Sequence, residues 1–104
     1  MKIVIDSAVE SAPIQLLDPE NFREFSVILS GSEPIEALND RIQSIGRLED
    51  EGHLFVDKGA LVALAGSLGT SAAWLENLEA MTAFAESKGW TDASGAIRAH
   101  IERD

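Results

Sequence analysis

The chain has no cysteine. That single absence removes disulfide frameworks, thiolate metal sites and cysteine nucleophiles. Long apolar runs are missing too. After Met1-Lys2 the stretch Ile3-Val4-Ile5 is interrupted by Asp6, far short of a signal-peptide core or of the roughly twenty residues that span a membrane. A cytoplasmic location is expected. Basic residues are scarce: eight Lys and Arg stand against eighteen Asp and Glu, a formal charge of −10 on 104 residues. The negative field repels phosphate backbones and anionic lipid headgroups, so neither nucleic acid nor a membrane surface is expected as a direct partner. No internal repeat, low-complexity segment or Pro/Gly/Ser-rich linker divides the chain, and residues 1–104 are expected to form a single domain. Gly-x-Ser-x-Gly elbows and zinc-finger spacings are lacking. No cofactor and no metal ion is expected.

What is present is enough apolar material to fold. Hydrophobic residues make up 45% of the chain, and Phe22, Phe25, Phe55, Phe84, Trp74 and Trp90 set it apart from disordered acidic segments. A domain of this length buries roughly 60–70% of its unfolded surface.

Periodicity suggests the order of elements. Lys2 to Asp6 reads as a β-branched strand, Ser7 to Asn21 as mostly loop, and Phe25 to Leu29 as a second strand. Ser32 is placed to cap a helix whose stripe is Ile35, Leu38, Ile42 and Ile45, ended by Gly46 in a left-handed conformation. Arg47 to Gly52 reads as a charged connection and His53 to Val56 as a third strand, so that strand, helix and strand suggest a βαβ crossover, right-handed if the two strands are parallel. A short helix capped by Asp57 is expected from Lys58 to Ser67, broken by Gly66 and Gly69. A long one is expected from Ala72 to Lys88, capped by Thr70 or Ser71, with Leu75, Leu78, Met81 and Phe84 or Ala85 inward. In the tail, Ile97, Ala99 and Ile101 alternate with Arg98, His100 and Glu102, which favours a strand over a helical turn begun at Asp92. The expected fold class is α+β, a two-layer sandwich of three helices on a small mixed sheet of about four strands.

Candidate sites compete with structural explanations. Gly66-Ser67-Leu68-Gly69-Thr70-Ser71 runs into a helix but lacks the lysine of a phosphate-binding loop and follows a helix, which favours a plain helix–turn–helix. Glu49-Asp50-Glu51 beside Gly52-His53 is the densest group of oxygen ligands, yet without the alternation of a calcium loop it reads as a solvated acidic turn. The two histidines, His53 and His100, are the weak catalytic candidates. Were their strands neighbours, the imidazoles would meet near Asp57, Asp92 or Glu102 as a general acid–base or metal constellation. Trp74 and Trp90 flank the long helix and are candidates for interaction, in competition with core packing.

The tail Lys88-Gly89-Trp90-Thr91-Asp92-Ala93-Ser94-Gly95-Ala96-Ile97-Arg98-Ala99-His100-Ile101-Glu102, together with Phe55-Val56-Asp57 to Leu64-Ala65-Gly66, resembles short bacterial proteins of similar length without assigned function. The resemblance implies a small stand-alone protein and transfers no catalytic residue. The leading expectation is therefore a protein-interaction or accessory module, with a protein partner or a second copy as a homodimer. A small-molecule binder or modest enzyme using His53 or His100 with a carboxylate is the alternative, and an acidic mimic of nucleic acid a third reading.

Overall fold

Alternating burial organises the first strand, β1 (Lys2–Asp6): Ile3 and Ile5 are fully buried while Lys2, Val4 and Asp6 are half-buried on the opposite face. The computed structural model describes residues 1–8 and 13–103. It continues through β2 (Gln15–Leu17), β3 (Ser26–Ser30), a 3-10 turn at Ile35–Leu38, α1 (Asn39–Gln43), β4 (Gly46–Asp50) and β5 (His53–Val56). There follow α2 (Lys58–Leu64), a 3-10 turn at Gly66–Thr70, α3 (Ala72–Ser87) and β6 (Ile97–Arg103). The strands form one mixed sheet in the order β2-β1-β3-β6-β5-β4.

One face of this sheet carries the core. Register places Ile3 beside Val27 and Ile5 beside Leu29, while Leu54 pairs with Ala99 and Val56 with Ile97. All eight residues are buried in one cluster. Ile42 of α1, Leu61 of α2 and Trp74, Leu78 and Ala85 of α3 join the same cluster. Each fully buried large side chain contributes roughly 1.5–3 kcal/mol relative to exposure. The other face bears Val4, Ile28, His53, Phe55, Arg98 and His100, the register partners of one another or of their neighbours.

The α+β class and three α-helices match expectation; the strand count does not. Two edge strands lie where the sequence reads as connection. In β2 only Leu16 packs against the core, and in β4 only Leu48 does, between outward Arg47 and Glu49. An edge strand needs a single inward residue, which leaves almost no alternation to detect. Of the expected Ser7–Asn21 loop, 9–12 lie outside the described residues.

The expected βαβ crossover is also corrected. β3 and β5 are not neighbours: β6 lies between them, parallel to β3 and antiparallel to β5. The tail is thus a strand at the centre of the sheet. Ile35, Leu38, Ile42 and Ile45 are all buried, but they sit on a 3-10 turn followed by five helical residues, and Ser32 makes no cap because Pro34 holds the N-terminal position. Gly46 opens β4 and is not left-handed; a side chain there would strike the Phe55 carbonyl. α2 ends at Leu64, before Gly66 with φ +62°. Ser71, of the two proposed caps, accepts from the Trp74 amide at 3.3 Å. Along α3 the buried stripe is Trp74, Leu78, Thr82 and Ala85, with Leu75 and Met81 at its margins and Phe84 outside.

Candidate functional site

Antiparallel pairing of β5 with β6 puts His53 directly opposite His100. The Ile101 amide donates to the Gly52 carbonyl at 2.8 Å. That bond flanks the histidine pair, so the two residues form a non-hydrogen-bonded pair, the kind in which opposed side chains lie closest. Their ring centroids are 5.4 Å apart with planes at 68°. The neighbouring strands anticipated for these histidines are therefore present.

The carboxylate beside His53 is none of the three expected near the histidines but Asp50, from the stretch read as a solvated acidic turn. Asp50, at the end of β4, accepts from the Gly52 amide at 2.8 Å and lies 3.1 Å from His53 Nδ1. The Gly52 amide, followed by His53, holds its pKa below the ordinary value. An ionised carboxylate only accepts, so Nδ1 carries the proton and Nε2 is left for another partner. Asp57 sits beyond the far end of β5, before α2, and Asp92 is committed to its own turn. Glu102 lies two residues from His100 on β6. The Asp50-x-Gly52-His53 order in a hairpin was the available signal, because a short acidic side chain there folds back on the amide two residues on.

Both histidines line a cavity of about 320 Å³, a volume in the range of small-molecule sites. Phe22, Arg23 and Phe25 form one wall; Met81, Phe84 and Ala85 of α3 form a second; Trp90, Ile97 and Arg98 complete it. Each wall is anchored. The ammonium of Met1 donates to the carbonyls of Asn21 and Glu24, both at 2.8 Å, pinning the 21–25 segment to β1, and burial lowers the pKa of this amine. Phe22 also leans on Trp74, with centroids 5.8 Å apart.

Trp90 is fixed through its backbone, its amide donating to Ala85 at 2.9 Å and its carbonyl accepting from Arg98 at 2.8 Å. Beneath it, Asp92 Oδ1 accepts from the Ser94 hydroxyl at 2.7 Å and from the Ser94 and Ala96 amides at 2.9 Å. Asp92 Oδ2 meets Arg47 at 3.1 Å. The Ser94 hydroxyl first, then the Ala96 and Ser94 amides and the Arg47 guanidinium, lower the Asp92 pKa to about 2 against an opposing effect of burial.

The two tryptophans part ways. Trp74 is 3% exposed and donates from Nε1 to the Pro19 carbonyl at 2.8 Å, so it is a core residue and not an interaction anchor. Trp90 is 43% exposed and Phe84 57%, and their rings make an edge contact at 6.0 Å on the lip of the cavity. Phe84 was assigned by periodicity to the core as an alternative to Ala85, and the structure selects Ala85.

Charge at the cavity is of the minority sign. Arg98 Nε is engaged by Glu49 Oε1 at 2.8 Å, whereas Arg23 makes no side-chain bond or ion pair with a described residue. The remaining candidates are internal. In the Gly66–Ser71 stretch the Thr70 hydroxyl bonds the Ser67 carbonyl and the Ser71 hydroxyl caps α3, which satisfies the helix–turn–helix reading. Comparison with protein-family models, with curated proteins and with solved structures finds no match to this chain. Among the described residues no helix is long and apolar enough to cross a membrane.

Proposed function

We propose that this protein binds a small, largely apolar or aromatic molecule that carries an anionic group, in the cavity between the C-terminal half of α3 and strands β5 and β6. The observation that supports this reading is the pairing of aromatic walls with a guanidinium that no described side chain engages. Phe22, Phe25, Phe84 and Trp90 offer apolar contact, and Arg23 offers a bidentate donor fork for a carboxylate, sulfonate or phosphate. In a chain of formal charge −10, a guanidinium at a cavity with no side-chain partner among the described residues is the feature that internal contacts there do not account for. The sequence places binding by such a pocket second to protein interaction; the aromatic walls and Arg23 are the support for putting it first here.

Anilinonaphthalene sulfonate, a probe with an aromatic body and one anionic group, tests the reading. The folded protein is expected to enhance its fluorescence saturably at one site, with displacement by aromatic carboxylates and weakening in Trp90→Ala and Arg23→Gln. If amide resonances of Phe22, Phe25, Met81 and Trp90 do not move with the probe or with any aromatic or alkyl carboxylate, the reading fails.

The exposed Phe84–Trp90 pair favours protein interaction as a second reading, since solvent-accessible aromatic anchors are enriched at interfaces. A partner or a second copy would then insert a side chain where the first reading puts a small molecule. Size-exclusion measurements and capture experiments with Phe84→Ala and Trp90→Ala separate the two. The acidic-mimic reading gains little, because Glu76, Glu79 and Glu86 share α3 but Glu79 is engaged by Lys58 at 2.8 Å, and Asp40 and Glu49 lie apart on α1 and β4.

A further inference from the structure

We propose that His53 and His100 form a two-histidine site for a divalent transition-metal ion such as zinc or nickel, with Asp50 as its positioning residue. This goes against the sequence expectation of no metal ion, and it stands independently of any organic ligand in the cavity.

Three features of the β4–β5 hairpin and the adjoining β6 support it. Two imidazole nitrogens bound at about 2 Å to one tetrahedral ion put the ring centroids about 5 Å apart. The His53 and His100 centroids are 5.4 Å apart, so little movement is needed for both to reach one ion. Their backbones form the last register pair of the β5–β6 ladder, with Leu54 beside Ala99 on one side and the Ile101 amide bonded to the Gly52 carbonyl on the other. The chelating pair is thus set by rigid strands and not by loop sampling.

The second feature is the tautomer. Metal-binding histidines characteristically donate their other ring N–H to a carboxylate or carbonyl, which fixes the ring and raises the basicity of the ligating nitrogen. Asp50 Oδ1 stands in that place, 3.1 Å from His53 Nδ1, and is itself held by the Gly52 amide at 2.8 Å. Nε2 of His53 is the nitrogen left for the ion.

The third is ligand softness and charge. Imidazole selects zinc, nickel and copper over magnesium and calcium, which prefer oxygen. The ligand atoms of Glu49, Asp50 and His53 lie within 4.8 Å of one another, which adds negative potential at the hairpin. Glu49 is held by Arg98 at 2.8 Å and Asp50 by its own turn, so both act on the ion through the field and the ring and not as ligands.

The test is calorimetric titration of the untagged full chain with zinc chloride, then nickel chloride, in a buffer free of chelators. Saturation at one equivalent is expected, with no saturable heat from magnesium. His53→Ala and His100→Ala are each expected to weaken zinc at least about tenfold, and Asp50→Asn about 10- to 100-fold, with the far-UV spectrum unchanged. Glu49→Gln is expected to stay within about threefold, as for a residue that does not ligate. In the unaltered protein, zinc is expected to shift the imidazole resonances of both histidines in parallel. Three results overturn the proposal: no saturable binding, zinc binding that survives loss of both histidines, or a shift confined to one ring. A loss in Glu49→Gln as large as in the histidine variants would also overturn it, by moving the ion onto the acidic side of the hairpin.

Discussion

Arg47 donates to Asp92 at 3.1 Å, tying edge strand β4 to the turn that carries Trp90. The same carboxylate accepts three further bonds from Ser94 and Ala96. One acidic side chain, 12% exposed, therefore holds a cavity wall to the sheet edge.

Acid sensitivity follows from that arrangement. The Asp92 pKa lies at about 2 against an ordinary 3.8, so in this interval the unfolded chain binds more protons than the folded one. Stability from this group is fully present above 3.8 and is lost as pH falls through about 2. Asp92→Asn is expected to lower stability at neutral pH by on the order of 1 kcal/mol, as lost charge-assisted hydrogen bonds do. It is also expected to flatten acid unfolding in that window, as read by urea midpoints measured across pH.

Phe84 and Trp90 separate binding from stability. Both are exposed, so Phe84→Ala and Trp90→Ala are expected to change unfolding free energy by no more than about 0.5 kcal/mol while weakening the anionic probe. Leu78, 1% exposed on α3, is the contrast: Leu78→Ala leaves a cavity in the core and is expected to cost about 2–5 kcal/mol. Denaturant curves beside probe titrations distinguish the two classes.

Tryptophan emission reports on the site directly. With Trp74 3% and Trp90 43% exposed, Trp74→Phe is expected to leave emission that acrylamide quenches readily and that the bound probe perturbs. Trp90→Phe is expected to leave shielded emission that the probe barely alters. Equal quenching in the two variants would contradict the placement of these rings.

Two glycines in regular elements have opposite expectations. At Gly46 a Cβ would meet the Phe55 carbonyl and the Val56 Cα, both backbone, so Gly46→Ala has to displace β4 from β5. A loss of about 1–3 kcal/mol or more is expected, as for overpacking of rigid neighbours. Gly59, exposed within α2, has nothing within 4 Å of such a carbon, and Gly59→Ala is expected to add about 0.5–1 kcal/mol. Thermal unfolding of both variants checks the pair.

Much of the fold was legible because its central elements bury one face and so carry a period. The alternation of Ile97, Ala99 and Ile101 against Arg98, His100 and Glu102 marked β6 as a strand, and Ser71 with the pattern beyond it marked α3. β2 and β4 escaped notice because Leu16 and Leu48 are their single inward residues. Phe84 escaped because a helical stripe allows neighbours such as Ala85 to trade places across its margin, and only the packing of α3 on the core decides which one turns in.

By itself the sequence determined the charge, the absence of thiol chemistry, the α+β class and the residues from which a site would be drawn, His53, His100 and Trp90 among them. These are properties of composition and short-range spacing. Tertiary structure alone decided that β6 inserts between β3 and β5, and with it that His53 faces His100, that Asp50 lies beside His53 and that Arg23, without a side-chain partner among the described residues, stands at an aromatic cavity. Strand order is a choice among long-range pairings with similar local patterns, and it is settled by which arrangement closes a single core.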